Sequence, residues 1–117
     1  MENKKDKRIK RGNQVQITIP PDYNIRGSKR ILYRLTNDIS ENGMKIISDT
    51  FIPKGILLKI RLDLKGSPRL IQIHGEVKWI RSIYSDERFE MGIKFRDMSP
   101  KDARILKKYI ENCSVSV

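Results

Sequence analysis

Apolar residues fall on alternate positions through most of the chain and switch to a helical repeat near its end. Val15, Ile17 and Ile19 alternate with Gln14, Gln16 and Thr18, the pattern of a half-buried strand stopped by Pro20-Pro21. Residues 22–29 form a loop with Gly27 and Ser28 as turn residues. A second strand sets Ile31, Tyr33 and Leu35 inward against Leu32, Arg34 and Thr36, and Met44 and Ile46 carry the inward phase into a short third strand. After the Pro53-Lys54-Gly55 turn, Ile56, Leu58, Ile60, Leu62 and Leu64 alternate with polar or outward residues, and Gly66-Ser67-Pro68 closes the run. The fifth strand places Ile71, Ile73, Val77 and Trp79 inward, with Gly75 in the same phase where a curved sheet bends. Phe89, Met91, Ile93 and Phe95 make the sixth, after a polar loop at 85–88. Six alternating strands with short turns predict an all-β fold, an antiparallel sheet curled into a small barrel that buries one face of each strand.

Ser99-Pro100 starts the different period. Ser99 suits an N-cap, Pro100 the first helical position, and Asp102 the positive end of a C-terminal α-helix at about 99–113. Ala103, Leu106, Ile110 and Cys113, helped by Ile105 and Tyr109, form an apolar stripe that should plug the barrel's open end or pack on its side. The remaining segment, residues 1–12, has six basic and two acidic residues and only Ile9 as an internal apolar one, so it is expected to be a flexible arm ahead of a barrel domain at 13–117.

Composition narrows the class further. A chain of 117 residues is one domain able to bury a core without metal or disulfides. No apolar run approaches the roughly 18 residues of a membrane span, and the start lacks a signal-peptide pattern, so the cytoplasm is the expected location. The lone Cys113 cannot form an internal disulfide. A formal net charge of +11 makes an anionic partner plausible without choosing among nucleotide, nucleic acid, acidic protein and membrane surface. Catalytic chemistry has little to work with. One histidine, His74, on an outward phase and one cysteine give neither a metal site nor a base for a nucleophilic serine, so no enzyme activity, metal or cofactor is expected.

The most chemically suggestive stretch is Asn37-Asp38-Ile39-Ser40-Glu41-Asn42-Gly43-Met44, a polar turn between two strands. Asp38 offers an acceptor-only carboxylate, Ser40 a hydroxyl, and Gly43 a backbone able to turn with positive φ. Taken alone, Asp38 and Ser40 read first as an Asx or Ser turn capping its own backbone; the upstream basic cluster and the flanking strands turn the reading toward a ligand site.

Asp38-x-Ser40-x-x-Gly43 resembles the second half of the signature of PilZ domains, bacterial receptors for cyclic di-GMP. The first half, two arginines four positions apart, corresponds to Lys7 and Arg11, with lysine in place of one arginine. Gly75-Glu76-Val77-Lys78-Trp79, Glu90-Met91-Gly92-Ile93-Lys94-Phe95 and the closing helix are similar to the family's later strands and tail. The resemblance implies a six-stranded, PilZ-like split barrel and a ligand site made by Lys7, Arg8, Lys10, Arg11, Asp38, Ser40 and Gly43. In that site Arg11 would grip guanine O6 and N7 or stack on the base. Asp38 would accept from N1–H and the exocyclic amine, Ser40 would bond a phosphate or base edge, and Lys7, Arg8 and Lys10 would meet the phosphates. The implied function is a single-domain receptor whose arm orders on ligand and presents a surface to an effector protein, in processes such as motility or biofilm formation. A monomer or weak homodimer is expected. Two alternatives stay open: a PilZ-like interaction module that binds no nucleotide, raised by the lysine at position 7, and a basic barrel for single-stranded nucleic acid. The latter is disfavoured because Tyr33, Trp79, Phe89 and Phe95 fall on inward phases.

Overall fold

The computed structural model describes residues 7–21, 23, 30–84 and 87–115. The first half of the basic arm and most of the expected loops at 22–29 and 85–88 lie outside the described residues. Six strands form where the alternation places them: β1 (Gln14–Thr18), β2 (Ile31–Ile39), β3 (Gly43–Ser48), β4 (Leu57–Asp63), β5 (Ile71–Ile83) and β6 (Arg88–Met98), followed by α1 (Pro100–Val115). All pairings are antiparallel, and the order β1-β2-β3-β6-β5-β4 closes on itself through β1 and β4. Every strand therefore turns one face to a shared interior, filled by residues such as Ile17, Met44, Leu58, Ile60, Leu62, Ile73, Val77 and Ile93. The fourth strand follows its expected phase throughout, from half-buried Ile56 to buried Leu64.

Three strands carry an extra residue that breaks simple alternation: Asn37 in β2, Lys78 in β5 and, between Phe95 opposite Gly75 and Asp97 opposite His74, Arg96 in β6. Along β2 and β3, Thr36 faces Ile46 but Asp38 faces Lys45, so Asn37 is a bulge. Ahead of it the phase is the reverse of the expected one: Leu32 and Thr36 are buried, while Ile31, Tyr33 and Leu35 are 43%, 69% and 60% exposed. A bulge adds one residue to one strand only, which inverts the facing of everything on its far side. Arg34 takes an inward-phase position and is satisfied there by Ser48 Oγ at 3.2 Å and Asp49 Oδ1 at 2.7 Å. The second extra residue is Lys78, between Val77 opposite Ile93 and Trp79 opposite Gly92. It turns Trp79 outward, 41% exposed, against the expectation of a core position.

α1 lies across the barrel end where β1 and β5 begin. Ser99 Oγ accepts the Asp102 N–H at 3.1 Å, the expected N-cap. Its buried face is Asp102, Leu106 and Ile110, flanked by half-buried Ile105, Tyr109 and Cys113; Ala103 is exposed, because the face is centred one position earlier than the apolar stripe implies. Asp102 does more than complement the helix end: it accepts the Arg69 guanidinium and, at 3.2 Å, the Gln72 N–H. Asn13 Nδ2 donates to Tyr109 Oη at 2.9 Å and ties the helix to the start of β1. Among the described residues no helix is long and apolar enough to cross a membrane.

Leu58→Ala should lower stability by about 2–5 kcal/mol through a core cavity, whereas Tyr33→Ser should stay within about 0.5 kcal/mol of the parent. Urea unfolding of both variants checks the strand phases; a large loss at Tyr33 would contradict its outward facing. Asp102→Ala should cost about 1–3 kcal/mol in the same measurement, since it leaves the Gln72 N–H without its acceptor.

Candidate functional site

Strand lengths create the site. β1 has five residues and pairs with 31–35 of the nine-residue β2, so the last part of β2 runs past its neighbour. Backbone groups left there need partners. Asn13 and the basic arm before it supply them: the Thr36 N–H donates to Asn13 O at 2.9 Å, and Ile9 and Ile39 exchange hydrogen bonds of 2.8 and 3.0 Å. Thr36 Oγ1 also donates to Arg11 O at 2.8 Å. Half-buried Ile9 packs against the core, and its neighbour Arg8 is thereby set over the end of β2.

The Asn37 bulge aims Asp38 to the same side. Its side chain is only 6% exposed and is bracketed by cations: Arg8 Nε and Nη2 lie 2.9 and 2.8 Å from Oδ1, and Lys45 Nζ lies 3.3 Å from Oδ2. A carboxylate this buried is stable only if such charges offset its lost hydration. Ser40 is fully buried. Its hydroxyl accepts the Asn42 and Gly43 N–H groups at 3.1 and 3.2 Å and faces Arg8 Nη1 at 3.3 Å, so it organises the turn and braces the guanidinium. Gly43 is required for a different reason from the expected one. The positive-φ glycines among the described residues are Gly55 and Gly66; at Gly43 a Cβ would strike the Ile93 carbonyl on the paired strand.

Beside this pair a depression of about 340 Å³ opens on the outer faces of β3, β5 and β6. Arg8, Lys45, Lys78 and Lys94 line it with Trp79 and Gly92, and among the described residues no carboxylate shares the lining. The indole lies directly over Gly92, where any Cβ would overlap it. The result is a cationic hollow with an aromatic wall, joined to a buried acceptor.

Of the residues singled out from sequence, the structure brings Arg8, Asp38, Ser40 and Gly43 together. Lys7 and Lys10 are exposed on the arm. Arg11 lies elsewhere, beside a smaller hollow shared with Lys65, Tyr109 and Asn112 of the helix. Lys45, Lys78, Trp79 and Lys94 were not among the expected site residues; Lys78 and Trp79 enter through the second bulge, which leaves no mark on residue types. Tyr33 and Trp79, expected to face inward, are exposed, while Phe89 and Phe95 are half-buried, so the barrel does present aromatic side chains on which bases could stack. Among the described residues no group of His, Cys, Asp and Glu side chains could hold a metal ion.

No curated protein matches the sequence. Solved structures share its fold. The Bacillus subtilis inhibitor of motility (MotI/DgrA) superposes with a TM-score of 0.78 at 18% identity, over 98% of this chain and 53% of that one. The K. pneumonia MrkH complex with c-di-GMP gives 0.72 at 18% identity, over 98% and 54%. The PilZ domain of Escherichia coli YcgR with c-di-GMP gives 0.66 at 18% identity, over 97% and 93%. The chain thus spans about half the length of the first two. A family model described as PilZ domain matches residues 2–112, nearly the whole sequence from the basic arm into α1, and the chain therefore belongs to the PilZ family of cyclic di-GMP receptors.

Proposed function

We propose that this protein binds cyclic di-GMP in the hollow between Asp38 and Trp79. The observation that carries the reading is the buried Asp38 carboxylate, held by Arg8 and Lys45 at the rim of a cationic, aromatic-walled depression. Each part matches one part of the ligand. Asp38 accepts from guanine N1–H and the exocyclic amine, which adenine cannot supply in that arrangement. Arg8, whose fork rests on Asp38 without ligand, turns to O6 and N7 of the base. Trp79 offers a stacking face, and Lys45, Lys78 and Lys94 neutralise the two phosphates with charge-assisted bonds. Two of the solved structures of this fold are described as complexes with c-di-GMP, which supports the same ligand class.

Binding also changes what the arm does. Arg8 leaves a carboxylate and joins a ligand, so the segment around Ile9 re-forms over the nucleotide, and the new surface of arm and barrel is the part offered to an effector protein. In this reading Arg8, rather than Lys7 or Arg11, is the arm residue that faces the base.

Calorimetric titration with cyclic di-GMP, cyclic di-AMP and a thymidine oligonucleotide tests the function. Saturable, guanine-selective binding is expected; tighter, strongly salt-dependent oligonucleotide binding would replace this reading with a nucleic-acid one. Asp38→Ala and Arg8→Ala should each weaken cyclic di-GMP binding by about 1.5–3 kcal/mol, while Arg11→Ala remains near the parent. The opposite pattern would return the base contact to Arg11. Trp79→Ala should lose about 1–3 kcal/mol and Trp79→Phe much less, as stacking predicts; equal losses would mean that the indole is not a platform.

A further inference from the structure

A larger depression, about 720 Å³, lies away from the nucleotide hollow, on the outer faces of β1, β2 and β4. Its lining includes Gln14, Gln16, Tyr33, Leu35, Arg61 and Asp63, and the strand registers continue the same outer face beyond it to Thr18, Ile31 and Lys59. Ile31, Thr18 and Lys59 form one row across the strands; Tyr33, Gln16 and Arg61 form the next, and Leu35, Gln14 and Asp63 the third. Read along the strands, the face is three columns: apolar on β2, neutral polar on β1, and mainly basic on β4. Leu70 extends the apolar lining. The apolar column consists of the same three side chains that the Asn37 bulge turned outward, and an exposed apolar row on a closed barrel marks a contact surface. Lys59 and Arg61 make no ion pair among the described residues.

We propose that this face docks an acidic amphipathic helix of a partner protein, laid along β1. The spacing selects that shape. β2 and β4 are two strand intervals apart, about 10 Å, which is the width of a helix with its side chains. Such a helix sets an apolar flank on Ile31, Tyr33 and Leu35 and an acidic flank on Lys59 and Arg61, while the glutamine column under its axis provides polar contact without charge. Three of the four apolar groups are aliphatic, so the face gives bases little to stack on, and its basic column stands apart from the apolar one, unlike a surface adapted to mixed lipid contact. The depression and the nucleotide hollow are separate but both border β3, where Lys45 lines the hollow and Ile47 the depression. The proposal stands on this geometry alone and holds whether or not nucleotide binds.

The probe is a synthetic helical peptide with leucine on one flank and glutamate on the other, titrated into nitrogen-15-labelled protein without nucleotide. Saturable amide shifts are expected in β1, in residues 31–35 of β2 and in β4, and a counterpart with lysine for glutamate should not produce them. Leu35→Asp and Arg61→Glu should each weaken the peptide by about tenfold or more, with the remaining spectrum preserved. Shifts centred on Trp79, equal binding of the lysine peptide, no saturation at millimolar peptide, or a thymidine oligonucleotide moving the same amides at lower concentration would each overturn the assignment.

Discussion

Closure through β1 is the constraint on which the molecule rests. Five residues hydrogen-bond to β2 on one side and β4 on the other along their whole length, and without them the sheet would have two open edges. Because so short a strand cannot match its neighbour, β2 projects beyond it, and the chain leading into β1 must lie against the projection. The same backbone therefore closes the barrel and delivers Arg8. Position along the sequence is converted into position over the site by the fixed distance between Asn13 and Ile9, both bonded to β2.

Electrostatics then fix what the site can accept. Asp38 is too buried to be a lone anion, and Arg8 and Lys45 take the place of the water it has lost. A ligand that displaces Arg8 must bring hydrogen-bond donors for the carboxylate; one that brings only negative charge would leave it worse off. This requirement is more selective than the chain's excess of positive charge, which favours every polyanion alike.

Much of this was legible in the residues, and the exceptions have a common cause. The alternation from Ile56 to Leu64 needs one straight strand with one wet face, and the structure has it. Ser99-Pro100 states a helix start in two residues. Asp38-x-Ser40-x-x-Gly43 marked the turn because its glycine answers to a close backbone contact and its serine to a cap. Counting by twos fails at Asn37 and Lys78, since a bulge changes the count and not the composition. The facing of Ile31, Tyr33, Leu35 and Trp79 was lost there. The basic run was ambiguous for another reason: adjacent cations look interchangeable in sequence, and only the bond between Ile9 and Ile39 decides which of them meets Asp38.

That single bridge has a consequence for the molecule's solubility. Ile39 presents its N–H and C=O outward from the projecting end of β2, and Ile9 occupies both. A chain shortened past Ile9 would expose a ready template for strand addition beside buried Ile39 and Met44, inviting a neighbour's extended segment to complete the ladder. The arm is thus also a guard on an otherwise edgeless barrel, and its lysines and arginines, poor partners for a second copy of so basic a protein, keep that guard from becoming a link between molecules.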